Sequence, residues 1–466
     1  MSNFLLDPLN NLQTYIELKK DIEDKKSPIA TFGVIDESIG HIVYALQEHM
    51  DRQILLLTYD ESKSRRLYED IKSLGGQETY LLSKRELTFY DVDAFSSESG
   101  NERVNIVSRL IKGEKIILVA SIEAILNKFM DASIFNSLSK NLKIGEEIDL
   151  SNIIELLVSG GYERVQMVEA IGQFSLRGGI FDFFPPESEY PYRIELFDNE
   201  IDSIRTFDIL SQRSIEVLDI AYLTPVGEIL ILDEYREKII KSMDKDLNKT
   251  LSKGKFKDLE KEKLENKFNK YREYLEEKMF ISNKNLVLPY IPEDYLSSII
   301  NYLDENAIIF VDEPKRIEAN IKDIKEDFVF KFTDLFYGGE LLYSHENILY
   351  TYEYVLREIY KKTTVTSSAI LGSSQSFNPV SIHNFNIKGM QSYHNKMELL
   401  SEDLNHFKYR GYKTIILSGT EERGKRLQKT LLEMDIEASF LDNKDEKIKS
   451  SQIFITTGSI KAGFEY

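Results

Sequence analysis

Apolar and polar positions alternate strictly through residues 162–208, and this period of two predicts three or four antiparallel β-strands. In the strand before a pair of glycines, Phe174 and Leu176 fall on one face. Ser175 and Arg177 fall on the opposite face. A sheet with one buried and one solvated face gives this pattern.

The strand that follows Pro191 repeats the alternation. Its apolar positions are Tyr192, Ile194 and Leu196, and its other face carries Arg193, Glu195 and Phe197. We expect the polar face of the whole sheet to collect a small set of charged side chains, namely Arg164, Arg177, Arg193 and Glu195. Charged residues are at the surface by default, so an ordinary solvated face also explains this set.

The first part of the chain has a different pattern, in which amphipathic helices alternate with short apolar strands. The predicted strands are 29–34, 53–59 and 115–120, and the predicted helices are 10–25, 38–50 and one that ends at residue 73. This order is typical of a parallel, doubly wound sheet with helices on both faces.

These patterns predict several units. Residues 1–125 form the first half of an α/β domain, 126–210 an inserted α+β domain and 211–345 the second half of the first domain. The second half contains an apolar strand at 307–311 and a charged helical hairpin at 233–278. A linker helix is expected within 346–369, and a small α/β domain of unknown role within 370–466. The elements of that last domain are strands at 414–418, 438–441 and 452–456 and a helix at 421–434.

The glycine-rich part of the alternating region fits a pattern of fixed spacing, G-x-F-x-x-R-G-x-x-x-D-x-F-P. Its positions are Gly172, Phe174, Arg177, Gly178, Asp182, Phe184 and Pro185. Segment 192–198 and the pair Phe207-Asp208 follow it. Together these residues resemble the UvrA-binding domain shared by UvrB helicases and the bacterial transcription-repair coupling factors, the Mfd family. The resemblance extends more weakly over residues 1–345, including Phe89-Tyr90-Asp91 and the helix from Arg103 to Arg109.

The resemblance implies a degenerate P-loop-type parallel-sheet domain with an inserted UvrA-binding domain. It also implies a non-catalytic recruitment module, which binds UvrA and so brings nucleotide excision repair of damaged DNA to stalled RNA polymerase. The positions that match the family's UvrA contacts are Arg164, Arg177, Arg193 and Glu195. Ser175 stands where UvrB has an arginine, and Phe181 is expected to add an apolar contact.

The resemblance further implies that the chain is part of a longer protein. The full-length family protein is expected to be an ATP-dependent DNA translocase, with later domains that bind RNA polymerase and double-stranded DNA. A C-terminal domain of that protein would cover the UvrA-binding face until the motor engages. Two alternatives remain open: a fragment of a UvrB-like ATP-dependent DNA helicase, and an autoinhibitory scaffold that masks the UvrA surface.

The turn after the first predicted strand argues against a nucleotide site. A P-loop reads G-x-x-x-x-G-K-[ST], and its backbone amides and lysine hold the phosphates. Residues 33–41 read GVIDESIGH and contain no lysine. The positions of this degenerate, non-functional site are Gly33, Asp36, Glu37, Ser38 and Gly40. Asp36 and Glu37 would repel a triphosphate, so we expect neither ATP binding nor enzymatic activity in this chain.

Composition narrows the function classes further. The formal net charge is −19, which argues against binding of the phosphate backbone of nucleic acid by the chain as a whole. There is no cysteine, and no two of the 6 histidines have the H-x-x-x-H spacing of a metal site. We therefore expect no metal and no cofactor. No apolar run reaches the ~20 residues of a membrane span and no signal-peptide pattern is present, which predicts a cytoplasmic protein without membrane contact.

Overall fold

The computed structural model describes residues 3–89, 97–279, 281, 283–370, 372, 374–393, 396–442 and 449–466, without the side chains of residues 97–99. Within the segment Phe89-Tyr90-Asp91, Tyr90 and Asp91 lie outside the described residues.

The helices and strands form three consecutive blocks. The first contains α1 Gln13–Glu23, β1 Ile29–Phe32, α2 Ile39–Met50, β2 Ile54–Thr58, α3 Glu61–Leu74, β3 Thr79–Leu82, α4 Ser97–Ile111, β4 Ile117–Ser121, α5 Ile122–Ile125, β5 Phe129–Met130 and α6 Ala132–Ser137. The second contains β6 Lys140–Lys143, α7 Leu150–Ser159, β7 Glu163–Arg164, β8 Gln173–Arg177, β9 Ile180–Phe183, β10 Tyr192–Phe197, β11 Glu200–Phe207, β12 Ser214–Leu218 and β13 Ile220–Leu223.

The third block contains α8 Asp233–Lys253, α9 Asp258–Glu276, β14 Leu296–Ser297, β15 Ile308–Asp312, α10 Pro314–Tyr337, α11 Tyr352–Ile359, β16 Thr363–Ser368, β17 Ser381–Asn384, β18 Lys388–Gly389, α12 Met397–Tyr409, β19 Lys413–Ser418, α13 Glu421–Glu433, β20 Ala438–Phe440, β21 Gln452–Thr457 and β22 Phe464–Glu465. Short 3₁₀ helices lie at Asp7–Asn11, Lys284–Leu286, Leu288–Tyr290, Glu293–Tyr295, Ile299–Tyr302 and Tyr343–Asn347.

A parallel sheet organises the first and third blocks. Within the described residues its strand order is β17-β1-β16-β15-β2-β4-β3. The strand β2 is buried along its whole length, and its side chains alternate between two cores. Leu56 belongs to the core on one side of the sheet, and Leu55 and Leu57 belong to the core on the other side. The apolar runs are therefore those of strands covered on both faces, which confirms the predicted parallel α/β sheet.

The strands β16 and β17 correct the predicted division of the chain. We predicted a linker helix in residues 346–369 and a separate small domain from residue 370, yet β16 pairs with both β1 and β15, and β17 pairs with β1. The sequence of β16 is TTVTSS. Its hydroxyl-bearing residues give this buried strand the sequence pattern of a polar segment. Thr366 Oγ1 donates a hydrogen bond to the Ile29 carbonyl, and Thr31 Oγ1 donates one to the Thr366 carbonyl. These bonds satisfy polar atoms that burial would otherwise destabilise.

The inserted domain begins and ends at neighbouring strands. The entering strand β6 pairs antiparallel with the leaving strand β13. Between them, six strands form a second sheet in the order β12-β11-β10-β9-β8-β7, with α7 against its apolar face. The predicted boundaries of 126–210 are wrong at both ends. Phe129 and Phe135 pack in a core of the large sheet, whereas β12 and β13 lie beyond residue 210.

The charged segment 233–278 is the helical hairpin that the sequence predicts. The two helices α8 and α9 pack on each other and present one apolar stripe each to a shared core. Ile239 and Met243 come from α8, and Leu264 and Phe268 come from α9. Glutamate, aspartate and lysine side chains occupy the remaining helix surface, as expected for a solvated face.

The last block contains a small parallel sheet, β19-β21-β20, with α12 and α13 on one face. The opposite face packs against the large-sheet domain through Phe454 and Leu441. After β21, the Gly458 turn contacts the end of α3, where the backbone N–H of Ser459 donates a hydrogen bond to Ser73 Oγ. Gly458 has a φ of 152°, and a Cβ there would lie 3.1 Å from the Ser73 carbonyl oxygen. This glycine is required for close packing of the two units.

A buried carboxylate fixes the junction between the large sheet and the inserted domain. Glu228, five residues after β13, accepts hydrogen bonds from Arg85 Nε at 2.5 Å and from Arg103 Nε at 2.7 Å. Arg103 is 1% exposed and lies over the Phe129 ring, 4.7 Å from its centroid. Burial alone would raise the pKa of Glu228, but the two guanidinium groups outweigh it and hold that pKa at about 2.

The Glu228→Gln substitution should lower the free energy of unfolding by about 3–5 kcal/mol at pH 7, because it leaves two buried guanidinium groups without a counter-charge. The folded-state pKa lies below that of an unfolded glutamate, so the ion pair's stabilisation is complete above about pH 5 and is lost as the pH falls towards 2. Urea unfolding of the variant should therefore show a smaller loss of stability over this pH range than the wild type. Glu237→Gln, at an exposed position of α8, is the control and should behave as wild type. Equal stability of Glu228→Gln and wild type would contradict this prediction.

Candidate functional site

The polar face of the inserted sheet is built by the register of its central strands. Asp182 on β9 lies directly opposite Ser175 on β8 and Arg193 on β10. Arg193 in turn lies opposite Arg205 on β11. Directly opposed residues point to the same side of a sheet, so these four side chains share the face away from the apolar core.

Asp182 is the centre of this face. Its side chain is 1% exposed, and Arg193 binds it with two parallel hydrogen bonds, Nε to Oδ1 and Nη2 to Oδ2, both 2.8 Å long. Arg177 Nη2 also donates to Oδ2, at 3.0 Å. The hydrogen bonds to Asp182 are the main reason that the pKa of Arg193 is raised. Two of the three predicted partner-binding arginines, Arg177 and Arg193, therefore converge, but on a carboxylate of their own domain.

Two loops cover part of the polar face. Gln166, in the loop before β8, accepts a hydrogen bond at its carbonyl from Ser175 Oγ at 2.8 Å. Gln212, in the loop before β12, accepts one at Oε1 from Arg193 Nη2 at 2.8 Å. The Phe207 ring lies beneath the Arg193 guanidinium, 4.1 Å away, in a small apolar cluster under these loops. Ser175 is 1% exposed as a result, so it is a structural residue rather than a surface contact.

Two further predicted positions lie on the other side of the sheet. Phe181 is 1% exposed and stacks on Phe183 in the apolar core, with 5.1 Å between the ring centroids, so it offers no surface for a partner. Arg164 pairs in parallel register with Phe174. It therefore belongs to the side of the sheet that carries Phe174, at the exposed edge strand, and not to the side of Arg177. The alternation in the sequence already separates Phe181 from Asp182, whereas the register of β7 gives no such signal.

The remaining part of the polar face is open to solvent, and we call it the open face: Arg177, Glu195, Phe197 and Arg205. The Arg177 side chain is 48% exposed, compared with 14% for Arg193. Glu195 is paired with Arg205 and accepts a hydrogen bond from Ser203 Oγ at 3.1 Å. Phe197 is 79% exposed at the end of β10. Arg205 and Phe197 were not among the predicted site residues, although Phe197 follows Arg193 and Glu195 at the same spacing of two.

Beside the open face, the edge strand β12 places Val217 opposite Arg205, and Val217 is 75% exposed. The pairing of β11 with β12 shifts register between Thr206 and Phe207. Val217 was not among the predicted site residues because it lies beyond the predicted end of the inserted domain at residue 210.

The residues of the degenerate nucleotide turn have structural roles. Gly33 has a φ of +70°, and a Cβ there would lie 2.0 Å from the carbonyl oxygen of Phe385, which crosses directly over the turn. The hydroxyl of Ser38 donates to the Ile35 carbonyl at 2.9 Å, and Gly40 packs against Ile71 of α3. Asp36 forms ion pairs and Glu37 lies half-buried at the end of the turn.

No group of three or more histidine or carboxylate side chains within the described ranges is arranged to hold a metal ion. Among the helices that the structure describes, each is too short or too polar to cross a membrane.

Comparison with known proteins finds similarity between the inserted domain and a known family. Residues 141–228 match the UvrB interaction domain, a range that starts within the entering strand β6 and ends just beyond the leaving strand β13. The transcription-repair-coupling factor of Bacillus subtilis is 30% identical, with 98% of this chain and 39% of that protein aligned. The same factor of Staphylococcus epidermidis is 27% identical over 94% of this chain and 36% of the relative. That of Staphylococcus haemolyticus is 27% identical over 89% of this chain and 35% of the relative.

The chain thus spans less than two fifths of the length of each of these relatives. Residues 141–228 thus resemble a UvrB interaction domain, and the chain as a whole matches an N-terminal part of the bacterial transcription-repair coupling factors.

Proposed function

We propose that this chain is a non-catalytic recruitment module that binds UvrA through the open face of its inserted sheet. The observation that carries this proposal is the coincidence of two boundaries. The match to the UvrB interaction domain covers residues 141–228, and the inserted sheet that bears the open face lies within this range. Binding of UvrA would bring excision repair to the transcription machinery. Contacts with RNA polymerase and double-stranded DNA would belong to the remainder of a longer protein.

The chemistry of the open face supports a protein partner with carboxylate groups. Arg177 uses Nη2 for Asp182, and its guanidinium has further N–H groups at a half-exposed position. A planar guanidinium can bind a second carboxylate bidentately, and its ion pair with Asp182 keeps it oriented. The nearby Phe197 adds exposed apolar area, and aromatic and arginine side chains are the types enriched at interaction hot spots.

Absence of catalysis is part of this proposal. The turn at residues 33–41 has no P-loop lysine, and the Phe385 carbonyl occupies the space beside Gly33. A UvrB-like helicase fragment would need both that lysine and an open turn. Isothermal titration of the chain with Mg-ATP should therefore show no saturable binding. A site of micromolar affinity would overturn this part of the proposal.

The Arg177→Ala substitution should weaken UvrA binding by about 2–5 kcal/mol, because it removes a charged contact that becomes desolvated in the complex. This loss corresponds to more than about tenfold in the dissociation constant. The melting temperature should change little, because a half-exposed ion pair contributes only about 0–1 kcal/mol to folding. Surface plasmon resonance with purified UvrA measures the affinity. Arg272→Ala, at a partly exposed and ion-paired arginine of α9, is the control and should bind as wild type. Unchanged affinity of Arg177→Ala would remove the open face as the site.

The Arg193→Ala substitution should act on folding instead. It removes both bidentate hydrogen bonds to the buried Asp182, and we expect it to lower the free energy of unfolding by roughly 3 kcal/mol. Chemical denaturation followed by circular dichroism measures this loss. A wild-type denaturation midpoint for Arg193→Ala would contradict this structural role.

A further inference from the structure

A charged cluster lies at the carboxyl end of the large parallel sheet, remote from the inserted domain. Asp36 comes from the turn after β1, Lys63 and Arg66 come from the first turns of α3, and Asp312 is the last residue of β15. In doubly wound sheets, ligands bind in the crevice outside the carboxyl ends of the strands. The cluster therefore occupies the position where a domain of this architecture would hold an anionic ligand.

Asp36 bridges the two cations of this cluster. Its Oδ1 atom pairs with Lys63 Nζ, and its Oδ2 atom pairs with Arg66 Nη1. The cations lie three residues apart on α3, so they point to the same side of the helix. The carboxylate of Asp36 thus presents two oxygens to two positive groups, as one edge of a phosphate would.

The side chains of Lys63 and Arg66 are largely buried, whereas the side chain of Asp36 is more exposed. The Lys63 side chain is 5% exposed and the Arg66 side chain 21%, compared with 40% for Asp36. Behind Lys63 lies Asp312, 1% exposed, with its Oδ2 atom 3.3 Å from Nζ. Burial raises the pKa of Asp312 to about 6, and this carboxylate provides the inner counter-charge for the lysine.

The cluster also contains hydrogen-bond donors that are not used. Within the described residues, Nε and Nη2 of Arg66 and the hydroxyl of Ser367 on β16, the strand between β1 and β15, are buried and lack a hydrogen-bond partner. The two carboxylate oxygens of Asp312 also lack a hydrogen bond, and Asp312 contacts Lys63 as an ion pair. The other carboxylates that act on the cluster are Glu313, which accepts a hydrogen bond from the Ala369 N–H at 2.8 Å, and Asp70, whose charge acts on Arg66. Neither of them forms an ion pair with Arg66 in the described structure.

We propose that Lys63 and Arg66 form an oxyanion-binding site of the phosphate class, which the carboxylate of Asp36 occupies as a built-in ligand. The exposed position of Asp36 makes the site reachable from solvent once that carboxylate is removed. The Phe385 carbonyl closes the turn beside Gly33, which excludes a nucleotide there. The wild-type chain is closed to phosphate because its own side chain holds both cations.

Inorganic phosphate is the probe that tests this assignment. In a chloride-poor buffer, phosphate should raise the melting temperature of the Asp36→Ala variant by several degrees, because the truncation vacates the position between the two cations and a ligand that binds only the folded state stabilises it. The wild type should show no such shift. The double variant Asp36→Ala with Arg66→Gln should lose the response, because Arg66 provides the unused donors. Titration calorimetry on the single variant should give a saturable, weak site with one phosphate per chain.

A matched control comes from Asp233 of α8, whose side chain is exposed. It accepts a hydrogen bond from Arg236 and forms an ion pair with Lys278. Asp233→Ala should not gain phosphate binding, because Lys278 is 62% exposed and burial does not hold it in place. An equal response of Asp36→Ala and Asp233→Ala, or of wild type, would overturn the proposal, as would a folded Asp36→Ala variant without any response. If Asp36→Ala is unfolded in the absence of phosphate, the proposal requires that phosphate restores a cooperative thermal transition, and failure to do so would also overturn it.

Discussion

The carboxylate of Glu228 is the contact on which the arrangement of the two major domains depends. It joins Arg85, which follows β3, and Arg103 on α4 to the segment that returns from the inserted domain. Three parts of the chain, far apart in sequence, therefore meet at one buried ionic group. A buried charge is tolerated only when its partners are in place, so this group sets the positions of all three segments together. The orientation of the inserted sheet follows from this junction and from the pairing of β6 with β13.

The same rule shapes the candidate site. Asp182 is buried in the middle of the polar face, so its negative charge requires a positively charged partner. Arg193 is the main partner. Only side chains at the margin of this network remain available to another protein. Arg177 has both roles, since it contacts Asp182 and is half exposed. A single arginine thereby connects the internal stability of the sheet with its outer surface.

Much of the fold could be predicted from the sequence because apolar runs and helical periodicity report burial directly. The strands β2, β4 and β15 and the hairpin α8–α9 illustrate this. The strand β16 could not be predicted, because threonine and serine satisfy their hydroxyls inside the sheet and so resemble a polar linker. Arg164 was assigned to the wrong face because the register of a two-residue edge strand is fixed by its neighbour and not by its own sequence. Phe181 was assigned to the site because it lies next to the charged set, although its own alternation with Asp182 indicates the core.

The position of β16 between β1 and β15 has a consequence for the order in which the strands of the large sheet can pair. The strand β1 pairs only with β16 and β17 in the described sheet, and both come more than three hundred residues later in the chain. As the nascent chain leaves the ribosome, β1 therefore has no strand neighbour for on the order of tens of seconds, at typical rates of synthesis. The inserted domain closes on local contacts and can fold during this interval, whereas the large sheet cannot be completed before β16 is made. The large sheet is thus completed only after the insertion, and the exposed edges of β1 and β15 are the surfaces that chaperones would need to protect.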